Sequence, residues 1–282
     1  MKRRYILFSA VGLTDPIAGR RDGAILHICR KYKPEIIYLF LSKQINENHI
    51  KDNRYCQAIQ KLSELIEDFN PRIEIIADEK LYDVHKFDVF YETYESKIDK
   101  IQEAYPDYTI LINISSGTPA MKNALNLIST LHEDNIKAIQ VSAPTKDIGY
   151  QYYDIEARWK ENLDNDPNEF EDRTSEEPNL NLTARIKKEV ILKHIKVYDY
   201  QAAYSIAQDI SNSIPTIGMQ LLKAACCRIQ LDEKGMEEAL CSTNYHPVPY
   251  TDEIKRSIIE FLLWLQIKQK RHDYADFIRG IT

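Results

Sequence analysis

The residues with the clearest chemistry in this 282-residue chain fall in two short runs. The first is Ser9-Ala10-Val11-Gly12-Leu13-Thr14-Asp15-Pro16, and the second is Asn113-Ile114-Ser115-Ser116-Gly117-Thr118-Pro119-Ala120-Met121-Lys122. In the second run glycine lets the backbone come close to a ligand, and the Ser115, Ser116 and Thr118 hydroxyls can donate to it. Pro119 suits the first position of a helix, whose free N–H groups point outward. Lys122 falls within the first turn and adds a cationic donor. Such a set cradles an anion, above all a phosphate. Neither GxGxxG nor GxxxxGK[ST] is present, so the two familiar phosphate fingerprints are excluded. A plain capped helix start uses the same residues, with Ser or Thr at the N-cap and Pro behind it. Taken alone, the loop fits both readings.

Other chemistry is thinner. Ser116 has no His or Asp at hydrolase-triad spacing and no GxSxG around it. The five cysteines (Cys29, Cys56, Cys226, Cys227, Cys241) form no CxxC and stand near no His cluster, so reduced thiols are expected and a zinc site is not. Tyr152 and Tyr153 are candidates to stack on a base, against the simpler role of core or edge residues. His85 and His132 carry no pattern. Lys187, Lys188, Lys193, His194 and Lys196 make one helical stretch basic, either as a solvated face or as an RNA contact.

Both runs follow strand-like segments. Arg4–Ser9, Glu35–Leu41, Arg72–Ala77, Tyr108–Ile114 and Ile136–Ser142 are short and almost continuously apolar, as strands covered on both faces are. Between them, residues 20–32, 50–69, 88–104 and 119–133 have helical spacing; Ile59, Leu62, Leu65, Ile66 and Phe69 form one stripe. The alternation predicts an α/β fold, a Rossmann-like parallel sheet flanked by helices, with ligands at the carboxyl ends of the strands. Residues 183–211, 215–231 and 251–278 predict an all-α part, broken at 212–215 and 244–249. The last of these is apolar around a wide girth, through Ile254, Ile258, Phe261, Leu262 and Leu265, with Leu263, Trp264 and Ile267. A dimer partner and a central place in a bundle both account for it.

Lys and Arg number 37 against 43 Asp and Glu, a net charge of −6. Residues 160–177 hold eight acids against Lys160 and Arg173, so the rest of the chain is balanced and offers no global basic field. Repulsion within that stretch, with Pro167 and Pro178, predicts a solvated linker. The organisation expected is a Rossmann-like α/β domain over 1–159, an acidic linker over 160–182 and a helical domain over 183–282. No apolar stretch reaches the ~18 residues of a membrane span. The N-terminal MKRRYILFSAVGLTDP reads as a first strand and not a signal peptide, so the expected place is the cytoplasm, away from membranes.

With both runs in view the chain resembles a known family, the CARF domains of type III CRISPR systems, and within it the CARF–HEPN accessory ribonucleases of type III-A. The resemblance rests on Gly12-Leu13-Thr14-Asp15-Pro16, on Arg20-Arg21-Asp22-Gly23-Ala24 read as opening the first helix, and on Ser115-Ser116-Gly117-Thr118-Pro119-Ala120-Met121. It covers residues 1–155, and the helical remainder looks like the beginning of a HEPN half. The resemblance implies a homodimer about a two-fold axis that binds one cyclic oligoadenylate, tetra- or hexa-adenylate, as an allosteric ligand with no other cofactor. Ala10, Val11, Gly12, Thr14 and Asp15 would line the ring from one side, and Ser115, Ser116, Gly117, Thr118 and Lys122 from the other. Arg21 reaches a phosphate or pairs with an acidic neighbour.

The family's HEPN half cuts single-stranded RNA without metal, through an Arg followed about four to six residues later by His. Here only Arg20 and Arg21 stand at that spacing from a histidine, His27, and they lie in the sensor part, where His27 is expected to pack beneath the sheet. Arg185 and His194 are too far apart, and Arg271 and His272 are adjacent. The helical part is therefore expected to be an incomplete HEPN-like domain, with sensing the main activity and single-stranded RNA a substrate only of a competent effector half. A slow cleavage of the ring itself is a further expectation. An adenosine 2′-hydroxyl would attack, with Thr118 and Ser116 as donors to the phosphate. A ligand-responsive regulator with a DNA- or protein-binding helical half is the rival reading. The evenly spread charge of that half gives no basic recognition helix, so DNA is not expected.

Overall fold

A computed structural model of the chain describes residues 3–77, 87–132, 135–144, 154–178, 180–241, 243 and 252–281. The chain divides into two compact units between Pro178 and Asn179. The first runs through β1 (Tyr5–Ala10), the hairpin β2 (Ile17–Ala18) and β3 (Arg21–Asp22), α1 (Ala24–Tyr32), β4 (Ile36–Leu41), α2 (Lys43–Asp52) and α3 (Arg54–Leu65). It continues with β5 (Arg72–Ala77), α4 (Phe87–Ala104), β6 (Thr109–Asn113), α5 (Pro119–Leu131), β7 (Ile136–Val141), α6 (Ile155–Lys160) and β8 (Thr174–Glu176).

Six strands form one sheet in the order β5-β4-β1-β6-β7-β8. All neighbours are parallel except β8, which pairs antiparallel with β7. Burial on both faces explains why the strands read as unbroken apolar runs. Leu7, Leu39 and Leu111 pack with Ile25 and Ile28 of α1 and Ile59 and Leu62 of α3. The alternate residues Phe8, Phe40 and Ile112 pack with Phe90 and Tyr94 of α4 and Leu125 of α5. The chain winds outward from β1 through β4 to β5, then returns to β6 on the other side of β1. At that reversal the connections leave for opposite faces and open a crevice at the carboxyl edge, between the ends of β1 and β6.

In the first unit three expectations need correction. The first helix does not begin at residue 20. Residues 17–22 form the β2–β3 hairpin, turned at Gly19 with φ +61°, and α1 begins after Gly23, so Arg20 and Arg21 precede it. The helix expected over 50–69 is two helices, α2 and α3, divided at Asn53, whose φ is +50°.

The third correction concerns the acidic stretch 160–177, which is no solvated linker. It folds onto the first unit as a strap, with a turn of 3-10 helix at Leu163–Asn165 and then β8. Its acids meet cations held elsewhere instead of repelling one another. Asp164 is 1% exposed and accepts from Arg21 Nη1 at 2.7 Å, the Asp22 N–H at 2.8 Å and Arg173 Nη2 at 3.2 Å. Asp22 accepts from Arg30 Nε at 2.7 Å and Asn162 Nδ2 at 2.6 Å. Lys31 Nζ lies 2.6 Å from Asp172, and Lys137 Nζ lies 2.8 Å from Glu176. His27 is fully buried, its Nε2 accepting the Arg173 N–H at 2.8 Å. The first unit thus continues past residue 159 to Pro178.

Every regular element among the second unit's described residues is a helix. The unit contains α7 (Leu180–Lys196), α8 (Tyr200–Asp209), α9 (Thr216–Ile229), α10 (Glu233–Leu240), α11 (Glu253–Lys270) and α12 (Tyr274–Ile281). The expected helices over 183–211 and 251–278 are each broken, near Tyr198 and His272, where φ is positive. α10 has no counterpart in the sequence reading. Arg228 of α9 forks onto Glu260 of α11 at 2.6 and 2.9 Å, and Trp264 Nε1 donates to the Ile229 carbonyl at 2.9 Å. Leu265 and Ile267 are buried by this packing, while Ile254, Ile258 and Leu262 stay exposed. Among the described residues no helix is long and apolar enough to cross a membrane.

Candidate functional site

A cavity of about 600 Å³ occupies the carboxyl edge where the strand order reverses. The loop after β1 supplies Val11, Gly12 and Thr14 to its wall, and the loop after β6 supplies Ser115, Gly117 and Thr118. Met121 and Lys122, in the first turn of α5, complete that side. These residues lie far apart in sequence, and the parallel pairing of β1 with β6, Ser9 opposite Asn113, brings them together.

The loops are fitted to each other without side chains. A Cβ on Gly12 would stand 2.9 Å from the Gly117 amide nitrogen. Gly117 has φ +93°, a conformation that L side chains rarely adopt, and a Cβ there would meet Met121 Sδ at 3.0 Å. Thr118 caps α5, its Oγ1 accepting the Met121 N–H at 3.4 Å with Pro119 at the first helical position. The plain capped helix start is therefore present, and it leaves Gly117, Thr118 and Lys122 on the cavity wall.

Beneath the wall lies a buried polar layer. Asn113 Oδ1 accepts the Ser115 N–H at 2.8 Å, and its Nδ2 donates to Ser9 Oγ at 2.9 Å and Ser116 Oγ at 3.0 Å. Ser115 Oγ accepts the Val141 N–H at 2.6 Å, tying the loop to β7. Asp15 accepts the Gly12 N–H at 3.0 Å and the Ile25 N–H at 3.2 Å, joining the β1 loop to the start of α1. Burial pushes the Asp15 carboxyl above its ordinary range, against hydrogen bonds from Gly12, Ser116 and Ile25 and the charge of Lys122.

Of the residues singled out from the sequence, Val11, Gly12, Thr14, Ser115, Gly117, Thr118 and Lys122 line the cavity. Ala10, Asp15 and Ser116 are buried behind it and support the loops. Arg21 lies outside the lining, its guanidinium committed to Asp164 at 2.7 Å and the Glu169 carbonyl at 2.8 Å. His132 hydrogen-bonds Asp99 at 3.1 Å, away from the cavity. His85, Tyr152 and Tyr153 lie outside the described residues.

Sequence reasoning missed the third wall. Ser42, Lys43, Gln44, Ile45 and Glu47, at the start of α2, face the two glycine loops. No motif marks them; the available signal was that they follow a central strand at the same sheet edge. Two helices, α2 and α5, therefore begin at one cavity, and Lys43 and Lys122 stand on its walls. Helix N-termini and lysines both favour negative charge, so the arrangement suits a ligand with more than one phosphate.

Asp22, His27 and Asp164 offer three potential metal-ligand atoms within 4.8 Å of one another. Their carboxylates are already bonded to Arg21, Arg30 and Arg173, so an ion-pair cluster describes this site better than a metal centre.

Residues 72–174 match a family model described as the Cas_Csm6 CARF domain, and residues 178–229 match one described as the CRISPR-associated protein Csm6 6H domain. The CRISPR system endoribonuclease Csm6 of Mycobacterium tuberculosis is 32% identical over 285 residues, covering 98% of this chain and 65% of that protein. Csm6′ of Streptococcus thermophilus is 34% identical over 286 residues, covering 97% of this chain and 69% of that one. A structure of Enterococcus italicus Csm6 bound to cyclic hexa-2'-fluoro-hexa-dAMP superposes with a TM-score of 0.70 at 25% identity, over 98% of this chain and 64% of that one. The chain spans about two-thirds of the length of these relatives.

Proposed function

The chain belongs to the Csm6 family, and from that premise we propose that its first unit is a sensor whose cavity takes a cyclic oligoadenylate. One observation carries the reading: two glycine loops and two helix starts converge on a single cavity at the strand-order reversal. The fold agrees over 98% of the chain with a Csm6 bound to a cyclic hexanucleotide analogue. Phosphodiesters lie against the loop N–H groups and Lys122. The glycines let the backbone approach, and the buried Asn113 layer holds the loops in shape.

A ring of identical units is matched by two copies of one cavity, so the sensing form is a homodimer in which each protomer grips part of the ring. The helical unit carries occupancy of the cavity toward an RNA-cutting half of the HEPN type. Single-stranded RNA is the substrate of that half and no part of this cavity's chemistry.

Calorimetry with cyclic hexa-adenylate, cyclic tetra-adenylate and linear hexa-adenylate tests the reading. One ring per two chains is expected, with the linear control weaker and affinity falling as salt rises. If neither ring binds at high micromolar concentration, the reading is wrong. A second reading, slow cleavage of the ring, draws on Thr118 lining the cavity beside Lys122. Labelled ring incubated with protein in EDTA should then give linear products ending in 2′,3′-cyclic phosphate, and an intact ring after many hours rejects it.

A further inference from the structure

We propose that the N-terminus of α2, with the Ser42 hydroxyl at its cap, is a second phosphate subsite, on the wall facing the Gly117–Thr118 turn. The ligand named here, a phosphodiester of an oligonucleotide, rests on the ring-binding reading above; the place rests on the geometry of α2. That helix has ten residues, and Lys43, Gln44 and Ile45 of its first turn line the same cavity as Gly117 and Thr118.

Ser42 carries the argument. It has the extended backbone of an N-cap residue, φ −68° and ψ 163°, and is only 8% exposed, yet its side chain makes no capping hydrogen bond. Among the described residues its hydroxyl has no hydrogen-bond partner, and the residue forms part of the cavity wall. A serine in this position ordinarily turns inward and accepts from an amide of the first turn. Here the hydroxyl and the Gln44 and Ile45 N–H groups are left as donors beside the cavity. A phosphodiester has the acceptors that such a set lacks. A neutral base edge would satisfy one or two donors but gain nothing from the helix dipole or from Lys43. On the opposite wall the cap of α5 is closed by Thr118, and the backbone turn at Gly117 and Lys122 face the ligand there. The two walls therefore take different phosphates of one strand, with the sugar and base between them spanning the cavity.

The test exploits a conflict of signs. Aspartate is as good an N-cap as serine and is favoured at a helix N-terminus, so Ser42→Asp leaves the melting temperature unchanged or raised. The same charge repels a phosphate. Ser42→Asp is expected to weaken cyclic hexa-adenylate by about tenfold or more in calorimetry, and Ser42→Ala by about threefold. Gln44→Glu, another first-turn acid that helices accept, should act like Ser42→Asp and decides the matter if that variant folds poorly. If both acidic variants fold and bind the ring as tightly as the wild type, the subsite is overturned while the ring reading stands. If the wild type binds neither ring, the ring reading has failed, and inorganic tripolyphosphate becomes the probe. Saturable binding that Ser42→Asp weakens then supports the subsite, and binding that is absent or indifferent to the substitution overturns it.

Discussion

Gly12 and Gly117 meet backbone to backbone: a Cβ on Gly12 would lie 2.9 Å from the Gly117 amide nitrogen. Contact this close leaves no room for a side chain at Gly12, and its neighbour is backbone that cannot swing aside. Gly12→Ala must push the loops apart at the mouth of the cavity. Gly117→Ala adds a strained backbone at φ +93°, a cost of about 1–3 kcal/mol. Both variants should fold, melt earlier and lose ring affinity by about tenfold or more. Thermal melts with calorimetry check this, and wild-type affinity in Gly12→Ala would show that the loops do not shape the site.

Asn113 holds the second loop from below through three hydrogen bonds, to the Ser115 N–H, Ser9 Oγ and Ser116 Oγ. Removing the amide leaves buried donors and acceptors unpaired, so Asn113→Ala should cost about 2–3 kcal/mol of stability. Its effect on ligand is indirect, because Asn113 does not line the cavity. Ring affinity should therefore fall while its salt dependence stays that of the wild type, since no phosphate contact is lost. A reduced salt slope in calorimetry would mean that a phosphate contact had gone as well.

The strands and the two glycine loops were legible because their signals are local. A fully covered strand is apolar along its length, and Gly-Thr-Pro announces a helix start within three residues. What stayed hidden depends on distant partners. The acidic strap looked repulsive because a window of sequence shows Asp164 beside Asp166 and not beside Arg21, 143 residues away. Its strand, β8, exists because β7 offers an edge and Lys137 a counter-charge to Glu176. The Ser42 wall carries no motif at all; only the sheet order puts it across from Gly117. The splits at Asn53, Tyr198 and His272 are single residues at positive φ inside periodic apolar stripes, which periodicity alone does not detect.

Arg21 separates the sequence reading from the structure most cleanly. Its guanidinium is bound to Asp164 and the Glu169 carbonyl and is absent from the cavity lining. Arg21→Ala leaves a buried carboxylate with Arg173 and the Asp22 N–H as remaining partners, so a loss of about 1–3 kcal/mol is expected. Ring affinity should stay within about threefold of the wild type at a temperature where both are folded. A fall of a hundredfold or so, without loss of stability, would put Arg21 on the ligand after all.

Two buried aspartates should give stability opposite pH dependences. At Asp164 burial alone would raise the pKa, but the His27 imidazole 3.9 Å away, hydrogen bonds from the Asp22 N–H and Arg21, and the charge of Arg173 hold the carboxyl far below its ordinary range. Between the folded and unfolded values the unfolded chain binds more protons, so stability rises with pH there. The contribution is whole above the unfolded value of about 3.9 and is lost as the pH falls through the folded one. Asp172, held at about 2 against burial by hydrogen bonds from Lys31 and Thr174, acts in the same direction. Asp15 has the reverse sign. Burial raises its pKa, so its contribution is whole below the ordinary value and declines as the pH rises through the folded one. Urea unfolding at about pH 3, 5 and 7 distinguishes them. Asp164→Asn should be less stable than the wild type by about 3 kcal/mol near neutrality, with the gap narrowing toward pH 3. Asp15→Asn loses a hydrogen bond at every pH but escapes the cost of a buried charge, so it should gain on the wild type as the pH rises. A gap for Asp164→Asn that is the same at all three pH values would show that its carboxyl titrates alike in the folded and unfolded chain, and the strap would then be held by packing and backbone pairing alone.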